Sequence, residues 1–414
     1  MTLLERVAAL VRARLHGEPL AGRSPAERRL RVREEALAVL REERAVLPAR
    51  ELAELVARVS DELMGLGPIE HLLRDPEVSE VMVNGPGAVY VERKGRLESV
   101  GGGLFEGEEA VYHLIERVVG PLGLRADESC PYVDARLPDG SRFHAIIPPL
   151  SLCGPVVTVR KFAPSPYGPE DLLRLGTLEE PILEVLATCV RGRANVLISG
   201  GAGSGKTTLL GVLSSYIPRG ERIVTIEDAA ELRLHAPHVV RLEARPPSAE
   251  GRGGVTVRDL VRNALRMRPD RIIVGEVRGG ETLDMLQAMN TGHEGSMSTA
   301  HANSPQELVA RLETMALMAD VVLPAEHLRE HIAQTVDLVV HMVRLPGGRR
   351  VVARVTSVEG PVDGRPLLRD AFRYGGAAAG WEAMGHPSGI AGRLRSTGGD
   401  ELEVLGISPN GSRG

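Results

Sequence analysis

The residues with the clearest chemistry form one glycine-rich stretch, Ser199 to Thr208, which reads SGGAGSGKTT. Gly200, Gly205, Lys206 and Thr207 stand at the fixed positions of a phosphate-binding loop. Glycines let the backbone curl so that several N–H groups point at one anion, and the start of the following helix adds partial positive charge. We predict that the stretch binds a nucleoside triphosphate, with Lys206 on the β- and γ-phosphates and the Thr207 hydroxyl on Mg²⁺. The predicted binding residues are Gly200, Gly201, Ala202, Gly203, Ser204, Gly205, Lys206, Thr207 and Thr208.

The elements that must hold this loop lie on both sides of it. Asn195 to Ile198 is a short apolar, β-branched run that predicts a buried strand, and Leu209 to Leu213 predicts the first turns of a helix. A glycine-rich turn can match the loop pattern by chance. Strand, loop and helix in this order favour the phosphate-binding interpretation.

Carboxylates follow two further predicted strands. Residues 222–226 lead into Glu227 and Asp228, which could orient water or Mg²⁺; alternatively, Asp228 caps a helix and Glu227 is solvated. Residues 271–275 lead into Glu276, which could polarise an attacking water, the alternative being an ordinary surface acid at a strand end. On these residues alone, both alternatives stay open.

Two histidines, His293 and His301, lie around another predicted strand in the run from Thr291 to Ser304. A zinc site is not favoured, because no cysteine lies nearby and the spacing matches no zinc pattern. A single histidine is usually structural. Here we favour polar sensors that contact phosphate or its water.

Arginines are the last candidates for chemistry. An arginine supplied from outside a phosphate loop can raise the rate of phosphoryl transfer by roughly 10³–10⁵. Arg142 and Arg160 lie on predicted strands of the preceding domain, and Arg262, Arg266 and Arg268 precede the second acidic strand. Most arginines in proteins are solvated surface residues, so that alternative stays open for each of these.

Composition divides the chain into five segments. Apolar positions at helical spacing predict a helical N-terminal extension, and hairpin signals with one helix predict an α+β domain. A Pro-rich stretch marks a linker. Alternating short strands and helices then predict an α/β sheet with helices on its faces, and a Gly-rich end predicts a flexible tail. The boundaries are 1–60 for the extension, 61–162 for the α+β domain, 163–170 for the linker, 171–375 for the α/β domain and 376–414 for the tail.

Composition also limits the classes of function. In 414 residues, 50 basic and 55 acidic side chains give a formal net charge of −5, which does not support general nucleic-acid binding. The three cysteines, Cys130, Cys153 and Cys189, suit a reducing compartment rather than a disulfide framework. No apolar run approaches the roughly 18–20 residues of a membrane span, and the N-terminus does not read as a signal peptide. We expect a cytosolic protein, with any membrane link made through partners.

Together and in this order, these motifs resemble the ATPases that drive type II and type IV secretion and type IV pili. The most similar branch is that of the Tad/Flp pilus assembly ATPases. The stretches that carry the likeness are 80–86 with 89–93, 133–142, 145–149 with 159–162, 226–228 with 231–232, and 271–304.

The resemblance implies a fold, a reaction and an assembly. The fold is a RecA-like P-loop ATPase domain behind an α+β domain, assembled into a hexamer with the nucleotide between the two domains and beside a neighbouring subunit. The cofactors are ATP and Mg²⁺, and the reaction is hydrolysis to ADP and phosphate. Lys206 and Thr207 would bind phosphate and Mg²⁺. The work would be pilus assembly or protein secretion, through an inner-membrane platform protein reached from the cytoplasm.

The resemblance also implies roles for the other candidates. Glu276 is the base or water-polarising residue, and Glu227 belongs to the family's acidic box, as a catalytic and metal-binding candidate. The family's histidine box contains His293 and His301. The arginines that reach the nucleotide from the N-terminal domain or a neighbour match Arg142 and Arg160.

Two other functions stay open at this point. A ring translocase acting on nucleic acid would share the loop chemistry, but the acidic balance and an aromatic content of 3% argue against a strand-binding channel. A nucleotide-gated assembly factor with little turnover is opposed by the full set of acids and arginines.

Overall fold

The computed structural model describes residues 3–16, 24–161, 167–234, 236–245, 253–319, 321, 323–362 and 364–385. The chain forms two compact units, Met1–Pro164 and Ser165–Gly414, each with its own hydrophobic clusters. Among the described helices, none is long and apolar enough to cross a membrane.

The first unit begins with three helices, α1 (Leu3–Leu15), α2 (Pro25–Glu42) and α3 (Ala49–Met64). A capping box starts α2: the Ser24 hydroxyl accepts the Glu27 N–H, and the Glu27 carboxylate accepts the Ser24 N–H. The three helices share a hydrophobic cluster that includes Val7, Val32 and Val59. The helical segment expected over 1–60 therefore continues to the end of α3.

A six-stranded antiparallel sheet follows in the same unit, with strand order β3-β2-β1-β6-β5-β4. Its elements are α4 (Glu70–Arg74), β1 (Val78–Asn84), β2 (Val89–Arg93), β3 (Arg96–Gly101), α5 (Glu108–Val119), β4 (Tyr132–Arg136), β5 (Arg142–Ile146) and β6 (Val156–Arg160). Successive side chains of a strand point to opposite faces. Val81, Phe143 and Val159 therefore lie on one face, in a core shared with Val111 and Ile115 of α5.

The second unit contains a nine-stranded sheet with the order β15-β14-β13-β12-β7-β11-β10-β8-β9. Its helices are α6 (Pro169–Arg174), α7 (Glu180–Arg191), α8 (Lys206–Ser214), α9 (Val257–Ala264), α10 (Glu281–Asn290), α11 (Pro305–Leu317) and α12 (Ala325–Thr335). Its strands are β7 (Val196–Gly200), β8 (Ile223–Glu227), β9 (Val239–Glu243), β10 (Arg271–Val274), β11 (Met297–Ala300), β12 (Leu338–Arg344), β13 (Arg350–Val362), β14 (Arg365–Gly376) and β15 (Gly380–Ala383).

The run of strands from β12 to β9 is parallel and forms the part of the sheet that matters for chemistry. Two hydrophobic clusters cover its faces, one around α7 and α8 and the other around α9 to α12. This is the α/β arrangement expected from the alternation of strands and helices, and the RecA-like fold that the resemblance implies. In open sheets of this kind, ligands bind outside the carboxyl ends of the strands.

The end of the described chain corrects one expectation. Gly-rich composition predicts a flexible tail from residue 376, but β15 pairs with β14. The indole N–H of Trp381 donates to the carbonyl of Val352 at 2.6 Å, and its ring centroid lies 4.8 Å from that of Tyr374. These contacts join the segment to the sheet. Residues 386–414, like 162–166 of the expected linker, lie outside the described residues.

A buried ion pair holds the amino-terminal edge of the parallel strands. Arg271, at the start of β10, is fully buried. Its Nε lies 2.6 Å from the Glu221 carboxylate, and its Nη1 donates to the carbonyl of Val190 at 2.6 Å and to that of Gly295 at 3.3 Å. One guanidinium thus joins the ends of α7, β10 and β11.

Replacing this guanidinium should destabilise the second unit. We expect Arg271→Ala to lower the free energy of unfolding by about 2–4 kcal/mol, because two buried carbonyls lose their donor and the mostly buried Glu221 carboxylate keeps only Arg193, at 3.2 Å, as a partner. The measurement is urea denaturation followed by the fluorescence of Trp381, the only tryptophan, which lies in this unit. Arg174→Ala, which breaks an exposed pair with Asp171, should change the free energy by less than about 1 kcal/mol. Equal losses in the two variants would contradict the role given to Arg271.

Candidate active site

The phosphate loop leaves the sheet at the end of β7 and enters α8 at Lys206. Gly205, the residue before the helix, has a φ of +95°, a left-handed conformation that glycine adopts without a steric penalty. At Gly200, a Cβ atom would collide with the carbonyl oxygen of Met342 in β12. Two of the loop glycines are therefore required by backbone geometry before any ligand is considered.

Lys206 places a buried ammonium group against this loop. Its Nζ donates to the carbonyl of Gly201 at 3.0 Å and lies 3.5 Å from Nδ1 of His301. Burial lowers the pKa of Lys206, the carboxylate of Glu276 opposes that shift, and the cation of Arg278 adds to it. Because a nearby negative charge favours the charged form, an anion at the loop would stabilise the ammonium.

Glu276 follows β10 and faces the same point. Its Oε2 accepts a hydrogen bond from Nη2 of Arg278 at 2.6 Å. Nε2 of His301 lies 2.9 Å from Oε1, and within the described residues Oε1 accepts no hydrogen bond of regular geometry. One oxygen of the carboxylate is thus held in place while the other keeps its capacity to accept a proton from water.

His301 connects Lys206 to Glu276. Burial lowers the pKa of His301, the Lys206 cation adds to that shift, and the Glu276 carboxylate opposes it. The ring is therefore neutral near pH 7, so that Nδ1 can accept from Lys206 while Nε2 carries the hydrogen beside Glu276.

Glu227 is buried at the end of β8 and caps the segment after it. Its Oε2 accepts the N–H groups of Glu231 at 2.7 Å and Leu232 at 2.9 Å. Burial raises the pKa of Glu227, and these two hydrogen bonds oppose the shift. Oε1 is buried and has no hydrogen-bond partner among the described residues.

Packing against Glu227 also explains a glycine in the second acidic motif. A Cβ atom at Gly275 would lie 2.8 Å from Cγ of Glu227. The residue before Glu276 therefore has to lack a side chain. The Gly-Glu pair at the end of β10 is a consequence of the acid on the neighbouring strand.

The two histidines lie at opposite edges of the sheet, which corrects an expectation. His301 follows β11 at the carboxyl edge, whereas His293 precedes it, at the amino edge. The carbonyl of His293 accepts from the Ser296 hydroxyl at 2.7 Å, and its Nδ1 is buried without a partner among the described residues. Of these two histidines, His301 lies beside Lys206, whereas His293 lies at the edge of the sheet away from that chain's own loop.

The arginines before β10 have other contacts. Arg262 forms an ion pair with Asp284 of α10 at 2.8 Å, and Arg258 contacts the same carboxylate at 2.7 Å. Arg266 donates to the carbonyl of Arg262 at 3.0 Å. These contacts connect α9 to α10 and do not involve the phosphate loop. Arg268 follows α9, and its backbone adopts a left-handed φ of +52°.

Arg142 and Arg160 lie in the first unit, directly opposite each other on β5 and β6. Arg136 of β4 is the next residue in the same row. The three guanidinium side chains therefore stand on one face of the sheet, the face opposite the hydrophobic core. Like charges directly opposite each other on neighbouring strands are unfavourable by themselves.

Two arginines at the loop were not predicted. Arg350 donates from Nε to the carbonyl of Gly203 at 3.0 Å, and its Cδ lies 3.3 Å from where a Cβ of Gly205 would be. Arg344 stands directly opposite Arg350 in the β12–β13 pair, with Nη1 3.6 Å from where a Cβ of Gly203 would be. The only local signal is a basic residue on each side of the turn 345–349; strand pairing is what brings both to the loop.

The residues present fit a magnesium ion of the kind found with phosphates. Mg²⁺ is usually held by one or two protein oxygens together with phosphates and water. Among the described residues, no group of three or more His, Cys, Asp or Glu side chains could hold a metal by itself. The Thr207 hydroxyl, at the start of α8, and the unpartnered Oε1 of Glu227 are the oxygens that suit such a site.

Comparison with known proteins decides which family this site belongs to. The family model described as type II/IV secretion system protein matches residues 62–362, a range that contains the loop, both acidic motifs and both histidines. The chain belongs to this family of secretion ATPases. Its ATP-binding motifs and α/β fold are those expected from the resemblance.

Individual relatives carry names from conjugation and type IV secretion. The conjugal transfer protein TrbB of Rhizobium radiobacter is 34% identical over 292 residues, which cover 70% of this chain and 86% of the relative. The type IV secretion system protein PtlH of Bordetella pertussis is 36% identical over 310 residues, covering 67% and 89%.

Solved structures show the same fold at lower identity. The ATPase DotB of Legionella pneumophila is 21% identical, with a TM-score of 0.50, and the likeness covers 83% of this chain and 92% of DotB. The pilus retraction motor PilT, solved with bound ADP, is 20% identical, with a TM-score of 0.51, covering 73% and 80%.

Two glycine-to-alanine substitutions test whether the close packing of Gly275 against Glu227 is required for activity. In Gly275→Ala, the new Cβ would displace Glu227 or the strand end that carries Glu276, so we expect the ATPase kcat of this secretion ATPase to fall at least about tenfold. In Gly211→Ala, within α8, the new Cβ has no neighbour within 4 Å, and alanine favours a helix by roughly 0.5–1 kcal/mol. Steady-state kinetics and thermal melting should show unchanged kcat and a slightly higher Tm for that control. Full activity in Gly275→Ala would mean that the contact with Glu227 does not matter.

Proposed function

We propose that this secretion ATPase hydrolyses ATP at the Lys206 loop and uses the turnover to drive pilus assembly or protein secretion, as in Tad/Flp systems. The observation that carries the proposal is the meeting of Lys206, His301 and Glu276 at one edge of the sheet. Nζ of Lys206 lies 3.5 Å from Nδ1 of His301, and Nε2 of His301 lies 2.9 Å from Oε1 of Glu276. A phosphate-binding cation and a candidate base are thus connected by one neutral ring.

Glu276 is the group suited to activate water. Arg278 holds Oε2, which orients the carboxylate, while Oε1 can accept a proton from the attacking water. His301 lies between this oxygen and Lys206. A phosphate that shifts Lys206 would therefore also shift His301 and change the surroundings of the Glu276 carboxylate. We propose that His301 reports γ-phosphate to the base in this way.

Positive charge for the phosphates comes from several elements of the second unit. Lys206 and the loop N–H groups face them from α8, and the Arg344–Arg350 pair adds two guanidinium groups from the β12–β13 hairpin. Charges that are already in place at an active site stabilise developing negative charge without reorganisation. Mg²⁺, when held by Thr207 and Glu227, would supply further charge neutralisation and orient the β- and γ-phosphate oxygens.

The arginine row of the first unit supports an assembly in which subunits share sites. Arg136, Arg142 and Arg160 form one row across β4, β5 and β6, and the phosphates of a nucleotide are the kind of anion that guanidinium groups bind. We propose that the chains form a hexamer and that Arg142 and Arg160 contact the bound nucleotide. These arginines would come from the N-terminal domain of the same chain or of a neighbouring chain.

The names of the relatives bear on cargo and partners. The relatives are named for conjugal transfer and for type IV secretion. We propose an inner-membrane platform protein as the partner that receives the motion from the cytoplasmic side. Conjugal transfer names also favour, as a second candidate, a ring translocase acting on nucleic acid. The formal net charge of −5 and the low aromatic content oppose that candidate.

Two substitutions at the loop edge should separate binding from turnover. We expect Glu276→Gln to bind Mg-ATP with an affinity close to wild type but to lower kcat by about 10²–10⁴-fold, because the amide cannot take the proton. Lys206→Ala should lose binding itself. Glu313→Gln, on α11 and paired with Arg329, is the matched control and should keep full activity. Fluorescent-nucleotide binding and phosphate release measure the two quantities.

Three outcomes of this experiment would count against the proposal. Normal turnover in Glu276→Gln would remove that residue as the base. No measurable turnover in wild type would favour a nucleotide-gated assembly factor. Turnover that requires single-stranded DNA would favour the translocase.

A mixing experiment tests whether arginines act between subunits. We expect Arg160→Ala to lower kcat at least about tenfold, because the charge it supplies to the nucleotide is lost. Co-expression with Lys206→Ala should restore part of the turnover, since each Lys206→Ala subunit still offers its arginine to a neighbouring intact loop. Arg93→Ala, on β2 of the same sheet and paired with Asp75, is the control and should not change kcat. The absence of any recovery in the mixed protein would place Arg160 in its own chain's site or outside catalysis.

A further inference from the structure

A buried histidine lies directly beside the first residue of the phosphate loop. His341, on β12, stands opposite Ser199 of β7 in the parallel pair, and both side chains are buried. Nδ1 of His341 lies 2.9 Å from the Ser199 hydroxyl oxygen. Neither residue stands at a fixed position of the phosphate-loop pattern.

Two neighbours flank the ring of His341. Nδ1 lies at hydrogen-bond distance from the Ser199 hydroxyl, and the backbone of Asn303 lies beside the ring, where it favours the protonated form and so opposes the lowering of the pKa of His341. A neutral imidazole has one donor and one acceptor nitrogen, and a serine hydroxyl can pair with either.

The charged groups that face His341 come from two neighbouring elements. Burial is the largest cause that lowers the pKa of His341, the Arg354 cation of β13 adds to it, and the Glu307 carboxylate of α11 opposes it together with Asn303. The net direction is downward, so the ring is neutral near pH 7. Ser199, on the third side, does not titrate in this range.

Asn303 lies close to His301 in the sequence. Asn303 lies two residues after His301, and its amide group and backbone N–H both donate to the Glu307 carboxylate, at 3.1 and 3.2 Å. His341 therefore contacts the start of the phosphate loop on one side and the segment that carries His301 on the other. Lys206 follows the start of the phosphate loop, and His301 precedes Asn303. Nζ of Lys206 lies 3.5 Å from Nδ1 of His301.

We propose that His341 is a positioning residue for ATP hydrolysis. Its ring joins Ser199, where the phosphate loop begins, to Asn303, so that His301 keeps its place relative to Lys206 and Glu276. The inference rests on the proposed ATPase function and assigns His341 no contact with nucleotide. Its loss should therefore change the chemical step more than nucleotide binding.

A double-mutant cycle tests the contact. Ser199→Ala should lower kcat about tenfold, and His341→Phe, which keeps a ring of similar size, should lower it about tenfold or more, while KM for ATP changes less than about threefold. Since both changes remove the same hydrogen bond, the double variant should have the kcat of His341→Phe alone. A double variant with the product of the two losses, about a hundredfold, would overturn the proposal.

Matched variants separate positioning from general stability. His341→Asn places an amide near the Nδ1 position and should recover part of kcat, because it can still pair with Ser199. Ser357→Ala removes another buried hydroxyl, one that donates to the Arg369 carbonyl on the far strands, and should lower Tm without changing kcat. If the Ser199 and His341 variants also lower only Tm, their role is structural and the proposal is wrong.

A spectroscopic test does not depend on the variants at position 341. In ¹⁵N NMR of the histidine side chains at pH 7, His341 should show a neutral ring, and Ser199→Ala should shift its Nδ1 resonance. An Nδ1 resonance that Ser199→Ala leaves unchanged would overturn the proposal even if His341→Phe does not fold. Wild type without Mg-ATP turnover would refute the ATPase function itself, whereas an active wild type with an additive cycle would refute the role of His341 alone.

Discussion

The site in the second unit depends on a cation, the Lys206 ammonium group, that is buried at the carboxyl ends of the strands. The Lys206 ammonium is buried, and a buried charge is unfavourable unless it is paired or hydrogen-bonded. The loop carbonyl of Gly201, the ring of His301 and the more distant carboxylate of Glu276 compensate for it in part. A phosphate would complete that compensation. Affinity for an anion and the placement of the acid and histidine thus follow from one electrostatic requirement.

Much of this site could be predicted because parallel strands bring their carboxyl ends to a common edge. The phosphate loop and Glu276 each follow a recognisable apolar strand, so pattern and position agree. Arg344 and Arg350 could not be found in this way. They reach the loop because β12 lies next to β7 and turns back into β13, and that strand order is a property of the folded sheet.

His293 and the segment 376–385 differ from the sequence-based expectations for different physical reasons. His293 and His301 flank a strand of four residues, which spans about 13 Å, so one of them had to lie at the edge away from the loop. Strand length was readable from the sequence, and it outweighs the proximity suggested by a shared motif. The segment 376–385 is wrongly predicted as part of a flexible tail, because composition reports only local tendency. Its order comes from Trp381, whose indole N–H finds the Val352 carbonyl on another strand.

Because Gly275 lies so close to Glu227, the residues at the ends of β10 and β8 cannot vary independently. Because the Glu227 side chain fills the space that a Cβ of residue 275 would need, a change at either position alters what the other can be. Where an acidic residue takes the place of Gly275, as in an Asp-Glu pair, we expect the neighbouring strand to end in a smaller side chain. Engineering or comparing the acids of such sites one position at a time would therefore miss the constraint, which is carried by the pair.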